Sequence, residues 1–239
     1  MEKIIKRIDP MAPLDKRVAT ESRFFKMVMT ALPSYRFTNI FDVGANVGQT
    51  CIPMASFLPE ARIFAFEPVP LTFSALKNNA SSFNNIIPIP LALGDRDGII
   101  SMHTEGTSTA NYIIENYDNS DQKNISVIMK TGAEFCEKSC INQISLLKID
   151  AEGFDFKVID GFQPLMGDID FIKVEAGMNK YNTTHISFWD FYNHLTKNGF
   201  MLFHIFEQRL EFKLGGRPVL RRANPVFINA RLLDMEGIS

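Results

Sequence analysis

The stretch FDVGANVGQT, residues 41–50, places two glycines directly after a short apolar run that contains the carboxylate Asp42. Gly44 and Gly48 have no Cβ atoms, so a turn built from them lets a ligand approach the backbone, and the following helix offers free N–H groups. The same spacing also suits a turn that only packs a strand tightly against a helix. Both interpretations, a cofactor-binding turn and a packing turn, stay open on the motif alone.

Carboxylates recur along the chain at the points where apolar, strand-like runs end. They are Asp42, Glu67, Asp95, Asp150 and Glu175. In an open α/β sheet the ligand lies in a crevice outside the carboxyl ends of the strands. We therefore expect these acids to share one edge of a sheet.

The acids and glycines together favour an adenosine-containing cofactor. Glu67 lies just over twenty residues after Gly44, where an acid accepts the hydrogen bonds of a ribose diol. A dinucleotide site needs G-x-G-x-x-G, and GANVG has no second glycine at the required place. Asp42 would repel a pyrophosphate but attract a sulfonium, which favours S-adenosylmethionine over a nicotinamide dinucleotide. A nicotinamide-dependent oxidoreductase is the less favoured alternative.

Strand-like and helix-like stretches alternate at least four times, which predicts an α/β fold with a doubly wound, mostly parallel sheet. LDKRVATESRFFKMVMTALPSY predicts a leading helix packed on the core, and HISFWDFYNHLTKNG predicts an amphipathic helix that His185 begins. Pro88 and Pro90 mark NNIIPIPLALGD as a peripheral third strand. FMLFHIFEQ and NPVFINARLL are expected to pair as an antiparallel ribbon.

Residues 98–124 are polar, rich in Gly and Asn and poorly periodic, which predicts a functional insert or lid. Ser108, Asn111 and Tyr112 are its candidates for ligand contact. Near the C-terminus a basic cluster has two interpretations, a solvated hairpin or a clamp for an acidic acceptor. The cluster consists of Arg217, Arg221 and Arg222.

Four motifs, FDVGANVGQT, FAFEPVP, PLALGD and LLKIDAEG, in this order and at this spacing, resemble the FkbM-type S-adenosylmethionine-dependent methyltransferases over roughly residues 38–176. The resemblance implies a class I methyltransferase sheet of seven strands with the last antiparallel, and O-methylation of hydroxyls on sugars or other natural products. It also implies the cofactor-binding residues, namely Asp42, Gly44, Asn46, Gly48, Glu67, Pro68, Leu93, Asp95 and Asp150. In this assignment Glu67 holds the ribose, Asp95 faces the adenine amino group, and Leu93 or Ala92 lies against the ring.

A hydroxyl is a poor nucleophile, so a base within hydrogen-bond reach would accelerate its methylation. The candidates are Asp150, Glu152, Glu175 and a histidine, His185 or His204. We favour Asp150 as the residue nearest the chemistry, with Glu152 and His185 as the further catalytic candidates. Glu152 has an alternative interpretation as an acid that stabilises a helix N-terminus. Asp150 and Glu175 would also suit a divalent ion, but we favour a site without metal.

The 239 residues carry 25 basic and 27 acidic side chains, which indicates no nucleic-acid partner. We expect one methyltransferase domain over 1–239, made of a leading helical segment (1–37), a cofactor-binding core (38–176) and an acceptor-side part (177–239). No apolar stretch is long enough for a membrane span or signal peptide, which predicts a cytoplasmic protein. The expected partner is a hydroxyl-bearing small molecule or glycan, and the leading helix could dock a second copy in a homo-oligomer. A non-catalytic binding protein of the same fold is the alternative function.

Overall fold

The structure, a computed structural model, describes residues 14–104, 112–114, 124–210 and 219–234. In chain order its elements are α1 (Leu14–Ala31), β1 (Asn39–Val43), α2 (Cys51–Phe57), β2 (Arg62–Phe66), α3 (Pro70–Asn79), β3 (Ile86–Ile89), β4 (Ala92–Gly94), β5 (Gly98–His103), β6 (Tyr112–Ile114), β7 (Asn124–Thr131), α4 (Gly132–Lys138), β8 (Ile144–Ile149), α5 (Asp155–Asp160), a 3-10 helix (Gln163–Asp168), β9 (Ile169–Val174), β10 (Ala176–Gly177), α6 (Phe188–Lys197), β11 (Phe200–Leu210), β12 (Leu220–Asn229) and α7 (Arg231–Asp234).

The main sheet has the strand order β3-β2-β1-β8-β9-β12-β11, with β10 also paired to β12. The strands from β3 to β9 are parallel, whereas β12 is antiparallel to both of its neighbours. Strand order reverses between β1 and β8, which is where an open α/β sheet has its ligand crevice. The expected doubly wound, mostly parallel sheet with an antiparallel last strand is confirmed, as is the β11–β12 ribbon.

Among the described residues the main sheet has eight strands rather than the expected seven, because an interruption at Glu175 divides one strand into β9 and β10. Lys173 pairs with Val226 and Ala176 with Ala223, so β9 and β10 keep a single register against β12. Pro225 of β12, which has no N–H to donate to a ladder, lies at the interruption. Glu175 stands at the same break.

The irregular structure expected for the polar insert over 98–124 is wrong for the parts that the structure describes. β5 pairs antiparallel with β7 from Gly98 opposite Met129 to His103 opposite Asn124, and these strands join β4 and β6 in a second, four-stranded sheet. Met102, Val127 and Met129 are buried on one face, while Ile99 and Ile128 are exposed on the other. Exposed isoleucines obscured the alternation that would have identified these strands.

The single strand expected for NNIIPIPLALGD is also wrong. β3 is the edge strand of the main sheet, as Pro88 indicates, but the chain leaves that sheet at Pro90 and β4 begins the second one. Proline both removes a ladder donor and restricts the residue before it, so one segment could not continue as one strand.

The core lies on both faces of the main sheet. Residues of β1, β8 and β9 are buried along their whole length, as expected for parallel strands covered on both sides. Ile40 packs with α1 and α2, whereas its neighbour Phe41 packs with the helices on the opposite face. Phe24 and Phe25 of α1 are buried, which confirms the leading helix.

Candidate active site

The glycine turn after β1 is folded tightly against two neighbouring strands. The N–H groups of Gly44 and Ala45 donate to the carbonyl of Phe66, at 3.1 and 2.9 Å. Gly44 has φ +76°, and a Cβ placed on it would lie 2.1 Å from the carbonyl oxygen of Asp150. Packing alone therefore requires a glycine at position 44, whatever the turn binds.

Glu67 joins this turn to the end of β2. Its Oε2 accepts the N–H of Asn46 at 3.1 Å and its Oε1 accepts the N–H of Val69 at 2.9 Å, and the residue is only 5% exposed. Burial raises the pKa of Glu67, although the two N–H groups act in the opposite direction. Each carboxylate oxygen has a second lone pair, so the group keeps acceptor capacity for a ligand hydroxyl.

Asp42 is buried behind the turn and is paired with a lysine that the sequence analysis missed. Lys148 Nζ lies 2.9 Å from Asp42 Oδ1 and 3.5 Å from Asp150 Oδ2, and it also donates to the carbonyl of Gly44 at 3.5 Å. Lys148 balances the charge of Asp42. Because Asp42 is 0% exposed, it presents no surface to a ligand. A lysine at the last but one position of a strand that is otherwise almost entirely apolar was the signal that could have revealed this pair.

Asp150 and Glu152 lie on the short turn that follows β8. The Asp150 side chain is 42% exposed. Glu152 and Gly153 have φ of +49° and +92°, which turn the chain sharply before α5 begins at Asp155. Glu152 is exposed and lies outside the helix, so the alternative role as a helix N-terminal acid belongs instead to Asp155.

Negative charge is concentrated on this turn. Desolvation raises the pKa of Glu152 to about 7, and the charges of Asp150 and Glu175 add to the effect. Burial likewise raises the pKa of Asp155 to about 6, with Asp150 as the next cause. The pKa of Asp150 is raised by desolvation, while the nearby Lys148 acts to lower it.

Glu175, just beyond β9, is held by two side chains, His185 and Arg222. Its Oε2 lies 2.8 Å from His185 Nε2, and its Oε1 accepts a hydrogen bond from the guanidinium of Arg222. Burial by itself would raise the pKa of Glu175, but the hydrogen bond from His185 and the charge of Arg222 outweigh it and lower the pKa. Arg222 of the expected basic cluster therefore pairs within the protein.

His185 lies in a loop before α6, whose N-cap is Ser187, so the prediction that it begins the helix is wrong. The side chain of Asn182 holds this loop: its amide nitrogen donates to the carbonyl of Arg221, and its Oδ1 accepts the N–H groups of Thr184 and His185. The loop is thus fixed by local hydrogen bonds of a kind that hydrophobic periodicity does not reveal.

The remaining predicted cofactor residues fall near the same edge but in different surroundings. Asp95 follows β4 of the second sheet, so the expectation that all five acids end strands of one sheet is wrong for it. It pairs with Lys157 of α5 at 2.8 Å, and that hydrogen bond lowers its pKa. Leu93 is buried in the core beneath α5, and Pro68 is half-buried beside Glu67. Gly48 has φ +95° and packs against Ile52 and Leu76.

Other candidates lie away from the acids. His204 is within β11 with its ring 4.3 Å from that of Phe206. Ser108, Asn111 and Arg217 are outside the described residues, and for Tyr112 the structure describes only the backbone, in β6. A surface cleft of about 540 Å³ is lined by residues such as Pro59 and Asn85, which precede β2 and β3 at the opposite edge of the sheet.

A second buried lysine, also missed from the sequence, lies beside Lys148. Lys173 is its register partner on β9 and contacts Glu21 of α1 at 3.2 Å and Glu207 of β11 at 2.9 Å. These ion pairs connect the leading helix and the C-terminal ribbon to the strands beneath the site. Lys148 and Lys173 thus form ion pairs with buried or half-buried acids beneath the carboxyl ends of the parallel strands, which are called the carboxyl edge below.

Within the described ranges, no three His, Cys, Asp or Glu side chains are grouped as a metal site would require. No helix of the described residues combines the length and apolar character needed to cross a membrane. The described carboxyl edge brings Asp150, Glu152 and Glu175 close to one another, as the effects of Asp150 and Glu175 on the pKa of Glu152 show, and Glu67 follows β2 at the same edge. The edge is therefore suited to a ligand with positive charge.

The strand order, the antiparallel β12 and the acid-lined carboxyl edge at the switch point define a class I methyltransferase with a Rossmann-like fold. Residues 42–211 match the family profile described as Methyltransferase FkbM domain. The chain belongs to this family, whose methyl donor is S-adenosylmethionine, so the expected family and cofactor are both confirmed.

Relatives with assigned names are distant in sequence. The chain is 26% identical over 151 residues, 62% of its length, to the hexuronic acid methyltransferase AglP of Haloferax volcanii, and the match spans 60% of that protein. It is 24% identical over 188 residues, 70% of its length, to Methyltransferase 1 of Beauveria bassiana, of which the match covers 76%. Among solved structures, the METTL16 methyltransferase domain superposes with TM-score 0.50 at 10% identity, covering 91% of this chain and 70% of that one. The last likeness shows the fold alone.

Proposed function

We propose that the protein transfers a methyl group from S-adenosylmethionine to a hydroxyl group of a sugar, a glycan or another hydroxylated natural product. The observation that carries this proposal is the contact between Glu67 and the N–H of Asn46. This hydrogen bond fixes the carboxylate of Glu67, which follows β2, against the glycine turn. In the proposal the remaining lone pairs of the carboxylate accept hydrogen bonds from a ribose diol.

The residues of the edge fit this donor. The turn bends through positive φ at Gly44, Asn46 and Gly48, a backbone conformation that glycine adopts without strain and asparagine tolerates. Asp42 Oδ2 is buried and has no hydrogen-bond partner among the described residues, while Lys148 pairs with Oδ1 of the same carboxylate. In this proposal Gly44, Asn46, Gly48, Glu67 and Pro68 hold the donor, Leu93 and Asp95 border its adenine, and Asp42 shapes the turn through Lys148.

The bound donor supplies an electrophilic methyl group, and the protein's part is to place an acceptor oxygen in line with it and to take up the proton. In this proposal Asp150 takes part in the first task, because it directly follows β8, the strand paired with the one that leads into the glycine turn. Residues 38–176 hold the donor in this proposal, while 177–239 contribute the acceptor side of the same domain.

A sugar acceptor is supported by the name of the relative from Haloferax volcanii, a hexuronic acid methyltransferase. It is also consistent with an acceptor side built from polar side chains, among them Asn182 and His185. The acids of the edge are suited to bind hydroxyl groups, because carboxylates are hydrogen-bond acceptors.

Ligand-dependent stability tests the donor. S-adenosylhomocysteine at 100 times its dissociation constant should stabilise the protein by about 2.7 kcal/mol, measured by denaturant unfolding, whereas NAD should have no effect. Stabilisation by NAD alone would contradict the proposal. Turnover is then measured with a methyl-labelled donor and a panel of methyl glycosides of glucose and glucuronic acid. Donor binding without transfer to any hydroxyl compound would instead indicate a non-catalytic binding protein.

A further inference from the structure

His185 has the residue type of a general base, but both of its ring nitrogens are already engaged. Nε2 lies 2.8 Å from Glu175 Oε2, and Nδ1 lies 3.0 Å from Asn182 Oδ1. The amide of Asn182 is oriented by its other contacts, because its nitrogen donates to the carbonyl of Arg221 and its oxygen accepts two backbone N–H groups. Both ring nitrogens therefore face acceptors, and the ring satisfies both contacts only when both nitrogens donate.

Glu152 is in the opposite situation. It is exposed on the turn after Asp150, its backbone has φ +49°, and its carboxylate has no hydrogen-bond partner among the residues that the structure describes. A carboxylate without a partner beside the methyl-transfer region is free to accept a proton from a bound hydroxyl.

We propose that Glu152 accepts the proton of the acceptor hydroxyl, and that His185 and Arg222 are positioning residues that hold the neighbouring Glu175 as a carboxylate. The inference rests on the proposed methyl transfer. As the acceptor oxygen bonds to the methyl carbon, the carbon–sulfur bond breaks and its electron pair stays on sulfur. The hydroxyl proton passes to a carboxylate oxygen of Glu152, so the acid becomes neutral as the sulfonium becomes a thioether.

The charged groups around Glu152 come from four segments. Asp150 is on the same turn, Asp155 begins α5, Glu175 follows β9 and His185 precedes α6. The three acids raise the pKa of Glu152 after desolvation, the largest cause, and the positive charge of His185 lowers it; the resulting value is about 7. A base with a pKa near the working pH is the most effective kind.

The pair of variants Glu175→Gln and His185→Gln tests this arrangement because the two changes have opposite signs. Removing the negative charge of Glu175 should lower the titration midpoint of Glu152, whereas removing the positive charge of His185 should raise it. The midpoint is measured by carbon-13 NMR of protein labelled at glutamate carboxyl groups, with the Glu152 signal identified by its absence in Glu152→Gln. Because no acceptor is needed, this measurement stands even if the proposed function fails.

Kinetics with the labelled donor distinguish a base from a positioning residue. Glu152→Gln should lower kcat by about 10² to 10⁴-fold with unchanged binding of S-adenosylhomocysteine. His185→Gln keeps a donor toward Glu175 but has no basic nitrogen, so it should retain most of kcat, with the lower limb of the pH profile moved to higher pH. Glu60→Gln, exposed at the far edge before β2, is the matched control and should behave as the wild type.

Three results would overturn the proposal. One is a wild-type rate in Glu152→Gln. Another is a loss in His185→Gln as large as that in His185→Ala, which would make His185 the base. The third is a Glu152 titration that neither Glu175→Gln nor His185→Gln moves. If Glu175→Gln does not fold, the upward shift in His185→Gln decides the matter by itself.

Discussion

Lys148 Nζ and Asp42 Oδ1 are 2.9 Å apart on adjacent parallel strands, and their side chains are 8% and 0% exposed. This buried pair lies directly beneath the glycine turn, because the same ammonium reaches the carbonyl of Gly44 and the carboxylate of Asp150. One lysine thus connects β1, which leads into the glycine turn, with β8, which leads to Asp150.

Breaking the buried pair should be more damaging than removing it. Lys148→Met leaves the carboxylate of Asp42 buried without its cation and should cost about 3 to 5 kcal/mol of unfolding free energy. The double variant Asp42→Asn with Lys148→Met should recover part of that loss, since no charge is then buried alone. Urea unfolding of the single and double variants measures the coupling, and strictly additive losses would contradict it.

Gly44→Ala should destabilise the protein and abolish donor binding. The new Cβ would lie 2.1 Å from the carbonyl oxygen of Asp150 at a backbone φ of +76°, and strain of this kind costs at least about 2 kcal/mol. Gly167→Ala is the matched control, because a Cβ there has no neighbour within 4 Å, and its effect should stay within about 0.5 kcal/mol. Equal midpoints for the two variants in thermal unfolding would contradict the expected clash between a Cβ at position 44 and the carbonyl oxygen of Asp150.

Glu67→Ala should weaken binding of S-adenosylhomocysteine while the protein stays folded. Loss of the hydrogen bonds that the ribose hydroxyls would donate to this carboxylate should reduce affinity by roughly 10- to 100-fold. The N–H groups of Asn46 and Val69 also lose their acceptor, so a stability loss of about 1 to 3 kcal/mol should accompany it. Isothermal titration calorimetry measures the affinity, with Glu60→Ala as control, and wild-type affinity in Glu67→Ala would refute the assignment.

Asp150→Asn should lose turnover while retaining the donor. The change removes the negative charge that the proposal puts next to the transferred methyl group but keeps the size of the side chain, and a loss of about 10²-fold or more in kcat is expected. Its partner Lys148 remains paired with Asp42, so the fold should survive. Rates of labelled methyl transfer decide the point, and a wild-type rate would reduce Asp150 to a structural residue.

Asp155 should make stability depend on pH. Its pKa is raised from 3.8 to about 6, with burial as the main cause, so the folded state binds the proton more tightly than the unfolded state. Its contribution to stability is therefore present at low pH and lost as pH rises from about 4 to about 6. Asp155→Asn should lack this loss, and relative to wild type it should gain on the order of 2 to 3 kcal/mol between pH 4 and pH 7. A difference in unfolding free energy that does not change with pH would contradict the expectation.

The elements that position the site were largely predictable because they follow simple periodicities. Apolar runs ending in Glu67, Asp150 and Glu175 are parallel strands with their ends at one edge. Where periodicity was broken the prediction failed. Ile99 is exposed, so β5 lacks the clear alternation of apolar and polar residues that predicts a strand. The chain changes sheets at Pro90, so the segment predicted as one strand forms β3 and β4. The loop at His185 was mistaken for helix because its structure depends on the amide of Asn182.

The sequence by itself determined the alternation of strands and helices, the glycine turn, the acids that follow the strands, and the family. Each of these depends only on residue types and their spacing along the chain. Only the tertiary structure decided which charges meet. Lys148 with Asp42, and Arg222 and His185 with Glu175, are brought together by strand register and by a loop that returns to the sheet. Electrostatic pairing depends on distance in space, and residues that are 47 or 106 positions apart give no sign along the chain that they will be in contact.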